Sequence, residues 1–219
     1  MIDPDRRRLG LQGLYVLTDA RLGHGAVLLE AVAAAIAGGA RLVQYRDKSD
    51  DPGRRRKEAG DLADLCRSQG VTFLINDDLA LVEYSGADGV HLGRDDLPVA
   101  EARARLGPRA VIGASCYGDL ALAREACGAG ADYVAFGAFH PSAVKPDAGR
   151  ADPRLLSRAR AEIPHPIAAI GGITPENGAA LIEAGADMLA VITGVFGAAD
   201  PRAAASRYAR LFNEGSREG

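Results

Sequence analysis

The sequence has little of what marks the special protein classes. Among 219 residues there are only three cysteines, Cys66, Cys116 and Cys127. They form no CxxC pair and have no histidine at metal-ligand spacing, so a disulfide framework and a cysteine metal site are both unfavoured. Reduced thiols in a cytoplasmic protein are expected instead. No apolar run reaches the length of a membrane span, and Met1 to Gly10 is charged rather than signal-like, so no membrane partner is expected. The net charge of −3 lacks the basic excess of a general nucleic-acid surface, although it allows a local basic pocket.

What remains is an ordinary soluble composition, 47% hydrophobic and 25% charged, in a chain of a length that suits one domain with a large core. The run Arg6-Arg7-Arg8 reads as solvated, and residues 1–12 as a frayed extension of a single domain spanning 1–219.

Strands and helices alternate throughout. Apolar runs at 14–18, 41–46, 72–76, 89–92, 110–113, 133–137, 166–170 and 188–192 read as strands. Helices fit between them, stopped by glycine (Gly38-Gly39, Gly70) or opened by proline (Pro98, Asp152-Pro153, Thr174-Pro175, Asp200-Pro201). Eight such units predict an all-parallel sheet closed into a (β/α)8 TIM barrel. A doubly wound open sheet is the rival, but no GxGxxG follows the first strand. An internal echo supports the barrel. Gly39-Ala40, Gly86-Ala87-Asp88, Gly130-Ala131-Asp132 and Gly185-Ala186-Asp187 precede strands two, four, six and eight, as helix stops followed by small packing residues.

Barrel chemistry sits just past the strands. After strand two, Gln44, Arg46 and Lys48 fall on one side of an extended chain and suit a multiply charged phosphate. Pairing of Arg46 or Lys48 with Asp47, Asp50 or Asp51 is the competing expectation. Strand three ends Asn76-Asp77-Asp78, and strand four runs on through Arg94-Asp95-Asp96. A helix cap needs one acid from each doublet, leaving one of each free for a metal such as Mg²⁺. Ser115 follows strand five in a small-residue passage that equally suits tight packing. The 139–151 loop carries His140, Ser142 and Lys145; a lone histidine is commonly structural, and His140 is left outside the catalytic set. Gly171-Gly172 and Thr193-Gly194, after strands seven and eight, suit either a phosphate site or tight turns.

The ordered series Gln44-x-Arg46-Asp47-Lys48, Leu74–Asp78, Gly86–Gly93, Ser142-x-x-Lys145-Pro146 and Ile170–Ile173 strongly resembles the thiamine-phosphate synthase family, from about Leu14 to Phe212. That resemblance implies a TIM barrel that condenses a hydroxymethylpyrimidine diphosphate with a thiazole phosphate, giving thiamine phosphate and pyrophosphate through a pyrimidine carbocation. It implies that Gln44, Arg46, Lys48 and Asn76 bind the diphosphate, and that Asp77 and Asp96 hold Mg²⁺. It further implies that Ser115 and Lys145 meet the leaving diphosphate, and that Ser142, Gly172, Ile192 and Thr193 bind the thiazole phosphate. Arg46, Lys48, Ser115 and Lys145 form the implied catalytic set. Arg94 and Val144 depart from residues common in the family, Gln and Thr. A thiazole tautomerase-like barrel and a non-catalytic thiamine-phosphate binder are the alternatives. The residues do not decide between a monomer and a homo-oligomer.

Overall fold

Residues 10–141 and 151–214 are described by a computed structural model. The β-branched and aromatic runs form eight strands: β1 (Gly13–Leu17), β2 (Ala40–Tyr45), β3 (Thr72–Asn76), β4 (Gly89–Leu92), β5 (Val111–Tyr117), β6 (Tyr133–Phe136), β7 (Ile167–Ile170) and β8 (Met188–Val191). All neighbours pair in parallel, and β1 also pairs with β8, which closes the barrel. The helices between them are α1 (Gly25–Ala37), α2 (Pro52–Gln69), α3 (Leu79–Ser85), α4 (Val99–Leu106), α5 (Leu120–Gly128), α6 (Arg154–Glu162), α7 (Pro175–Glu183), α8 (Thr193–Phe196) and α9 (Pro201–Glu214).

Strands covered on both faces are apolar throughout, and period-two alternation divides them between two cores. Tyr15, Leu17, Leu42, Leu74, Tyr133 and Met188 point inward and fill the barrel. Val16, Val43, Phe73, Ile75, Ile112 and Val134 point outward beneath helix residues such as Val32, Leu62 and Leu156. Leu11, within the stretch expected to fray, is buried in the inner cluster; residues 1–9 lie outside the described residues.

Two elements differ from expectation. β5 continues to Tyr117 instead of ending at Gly113, with a register shift against β6 between Ser115 and Tyr117. Ser115 therefore stands in the strand, not beyond it. Among the described residues there is also a ninth helix, the one-turn α8, between β8 and α9. Its four residues are too few for a periodic signal.

The internal echo has a structural role that the sequence reading credited only to glycine and alanine. The Asp88 carboxylate accepts the Phe73 N–H at 2.8 Å, Asp132 accepts that of Ile112 at 2.7 Å, and Asp187 that of Ile167 at 2.7 Å. Each of these three repeats thus fastens an even strand to the odd strand before it. An arginine from the helix before the odd strand (Arg67 of α2, Arg103 of α4 or Arg160 of α6) donates to the repeat glycine's carbonyl, and Arg103 and Arg160 also pair with the repeat aspartate. All of this lies at the N-terminal ends of the strands. The opposite rim is left to the loops.

Candidate active site

At the C-terminal rim, a cavity of about 180 Å³ is lined by Gln44, Arg46, Asn76, His91 and Ser115, among others. Alternation along β2 explains the first two. Gln44 and Arg46 turn inward, while Tyr45 and Asp47 turn outward, where the Tyr45 hydroxyl donates to Glu58 at 2.7 Å. The Arg46 N–H is held by the Thr18 hydroxyl at 2.8 Å, just past β1. Asp47 pairs with Arg54 at 3.0 Å, and Asp51 caps α2 through the Arg54 N–H at 2.9 Å. The competing expectation, a local pairing of Lys48 within its own loop, is therefore not what forms. Lys48 reaches from β2 to Asp77 after β3.

Asp77 has a positive φ of 65°, a conformation that aspartate tolerates better than most residues, and its N–H donates to the His91 carbonyl at 2.9 Å. This turn separates the tasks of the acidic doublet. Asp78 caps α3, accepting the Leu81 N–H at 3.0 Å, and Asp77 stays on the rim. The second doublet departs from the capping expectation. The residue at the start of α4 is Pro98, without a side-chain cap. Asp96 instead folds back to accept the Gly93 N–H at 2.6 Å, and Asp95 is exposed.

Asp77 and Asp96 face one another within hydrogen-bonding reach. Burial first, and the neighbouring Asp96 second, push the Asp77 carboxyl above its ordinary value. Burial pushes Asp96 the same way, but the bond from Asp77, the Gly93 N–H and Lys48 outweigh it, and Asp96 is held low. Two carboxylates brought together from different loops, one of them pushed up by the other, suit Mg²⁺. A second group, His24, Asp47 and Glu58, brings ligand atoms within 4.8 Å of one another. Its acids are already occupied, Asp47 by Arg54 and the Ser49 N–H, and Glu58 by Tyr45 and the Gly25 N–H. It does not face the cavity.

A second cavity of about 240 Å³ adjoins the first, sharing Ile170, Gly171 and Ile192, and is lined further by Gly172, Thr193 and Gly194. Gly172 has φ 58°, and a Cβ there would overlap the Pro141 carbonyl, so only glycine fits this wall. Thr193 opens α8. Ser142 and Lys145 lie outside the described residues, as does Val144.

The comparisons with known proteins follow the same outline. A model of the thiamine monophosphate synthase family matches residues 14–195. The thiamine-phosphate synthase of Thiobacillus denitrificans is 56% identical over 200 residues, covering 91% of this chain and 94% of that relative. The chain belongs to the thiamine monophosphate synthase family. A thiamine-phosphate synthase from an Azoarcus species is 54% identical over 203 residues, covering 92% of this chain and 98% of the relative. The thiamine phosphate pyrophosphorylase of Pyrococcus furiosus matches with a TM-score of 0.85 at 33% identity, covering 94% of this chain and 98% of that one. Membership makes this chain an enzyme of the transferase class, belonging to thiamine biosynthesis.

Against the family pattern, the departing Arg94 stacks on the ring of Tyr117, 4.6 Å from its centroid, instead of entering the cavity. Sequence reasoning missed Thr18 and a polar layer beneath the cavity. There the Tyr15 and Tyr133 hydroxyls lie 2.8 Å apart, and His91 lies 2.8 Å from both Tyr133 and Ser115. A signal existed: Tyr15, Gln44, His91 and Tyr133 occupy inward strand positions where a barrel ordinarily places branched aliphatics.

Proposed function

We propose that this chain condenses 4-amino-2-methyl-5-hydroxymethylpyrimidine diphosphate with thiazole phosphate, giving thiamine phosphate and pyrophosphate, with Mg²⁺ at Asp77 and Asp96. The observation that carries this reading is the meeting of those two carboxylates, from different loops, beside Lys48 and above a cavity holding Arg46 and Asn76. The adjoining glycine-walled cavity supports a separate position for the thiazole phosphate. A tautomerase or a passive binder has no need of this charged rim.

In this reading Arg46, Lys48, Asn76 and Gln44 hold the diphosphate, and Gly172, Ile192, Thr193 and Ser142 hold the thiazole phosphate. The C–O bond from the pyrimidine methylene to the diphosphate breaks first. The thiazole nitrogen then supplies the electron pair for the new C–N bond. Asp77 and Asp96 would hold Mg²⁺, which would supply neutralising charge for the departing pyrophosphate. Ser115 and Lys145 meet the same leaving oxygens, so the chain's contribution is charge stabilisation and proximity, not a nucleophile. Lys48 is bonded to Asp77, which holds its ammonium at the same rim. Cytoplasmic small-molecule chemistry fits the free thiols and the lack of any membrane-length apolar helix among the described residues.

Purified protein given both substrates and Mg²⁺ should form thiamine phosphate and pyrophosphate. Asp77→Ala should slow turnover by about 10²–10³-fold, the scale for losing a group that stabilises developing charge, while circular dichroism stays native. Full activity in EDTA would sink the metal assignment.

A further inference from the structure

The polar layer under the cavity forms one continuous line across the barrel. Gln44 Nε2 donates to the Tyr15 hydroxyl; the Tyr15 and Tyr133 hydroxyls are 2.8 Å apart; Tyr133 is 2.8 Å from His91 Nδ1; and His91 Nε2 is 2.8 Å from the Ser115 hydroxyl. Five side chains on five strands are therefore linked, four of them buried; Gln44, His91 and the less buried Ser115 line the cavity. The line has room because Gly113 stands beside Tyr133 in the ladder, where a Cβ would overlap the Tyr133 ring.

Such a line has a direction. A tyrosine hydroxyl has one proton to give, and a neutral imidazole donates from one nitrogen and accepts at the other. Burial pushes both tyrosine hydroxyls well above their ordinary values, so both keep their protons. With the Gln44 amide nitrogen facing Tyr15, only one pattern uses both tyrosine protons in these bonds. Gln44 gives to Tyr15, Tyr15 to Tyr133, and Tyr133 to His91 Nδ1. His91 then carries its proton on Nε2 and gives it to Ser115. Reversing any one bond leaves a buried proton unused, which is costly.

We propose that Tyr15, Tyr133 and His91 are positioning residues that fix Ser115 as a hydrogen-bond donor into the cavity. Because the Ser115 oxygen already accepts from His91, its own proton is directed at whatever anionic oxygen lies above it. Without this line, the hydroxyl would rotate freely and present lone pairs to an anion as readily as its proton. The catalytic consequence rests on the proposed diphosphate chemistry; the tautomer does not.

Two measurements test the proposal separately. Nitrogen–proton correlation NMR on the resting protein, with four histidines to assign, should find His91 as the single Nε2–H tautomer, lost in Tyr133→Phe. A His91 protonated at Nδ1 overturns the relay whatever the enzyme's activity. In turnover, Tyr133→Phe should lower kcat about tenfold with little change in KM, the lower end of what partners of site side chains contribute. In a Ser115→Ala background the same substitution should have no further effect, because the relay acts through Ser115. Equal losses in both backgrounds, or an unchanged kcat in Tyr133→Phe, would reduce these residues to packing. A wild-type protein with the Nε2–H tautomer but no synthase turnover would discard the proposed reaction and leave the relay standing.

Discussion

Asp77 shows how one backbone angle assigns chemistry. Asn76, Asp77 and Asp78 are adjacent, yet the left-handed turn at Asp77 sends one carboxylate to the rim and leaves the next to cap α3. The folded state holds the Asp77 carboxyl above its ordinary value, so just above about pH 4 the native protein binds more protons than the unfolded chain. Stability from this group is present below that pH and is lost as pH rises through the raised value. Asp96, held low, acts oppositely: its contribution is present above the ordinary value and is lost as pH falls through the lowered one. Asp77→Asn should therefore raise the thermal midpoint of metal-free protein at pH 7, slow turnover as Asp77→Ala does and remove any midpoint gain on adding Mg²⁺. A lower midpoint for the variant at pH 7 would mean that the Lys48 pair outweighs the opposed carboxylates.

At the scale of elements, the two ends of the strands divide stability from chemistry. The echo aspartates bind strand to strand at one end, and one acid of each doublet stands on the rim at the other. Asp132 is buried and pairs with Arg103 at 2.5 Å. Asp132→Ala should cost about 3 kcal/mol in urea unfolding, since it strands a partly buried guanidinium. Turnover should stay within about twofold, because the Asp132 carboxylate binds Arg103 and the Ile112 N–H, neither of which lines the cavity. A large loss of activity in folded Asp132→Ala protein would contradict this division. The echo was visible as a repeat, but only its glycines and small residues were given a role. Their partners are strand N–H groups 15 or 20 residues away, a separation that local periodicity does not encode. β5 was shortened for a similar reason: Gly113, Ala114 and Ser115 have poor strand propensity, and pairing with β6 overrides it.

At the scale of the molecule, the three cysteines report on the whole barrel. Burial pushes the Cys66 and Cys116 thiols up to about 12 and Cys127 to about 11. At pH 8 almost none is thiolate, so maleimide labelling of Cys66 and Cys116 should follow global opening and rise together across the urea transition. Labelling of either one well below that transition would reveal a locally loose segment of α2 or β5.

By itself the sequence determined the order and number of strands, the barrel they close into and the rim where chemistry gathers. Each of these follows from local alternation, punctuation by glycine and proline, and the rule that parallel strands need crossovers. Only the tertiary structure decided which acid of each doublet faces the other, that Lys48 bridges to Asp77, and that a polar line crosses the interior to Ser115. Those contacts depend on the stagger between strands around a closed barrel, which is a property of the whole circuit and of no single segment.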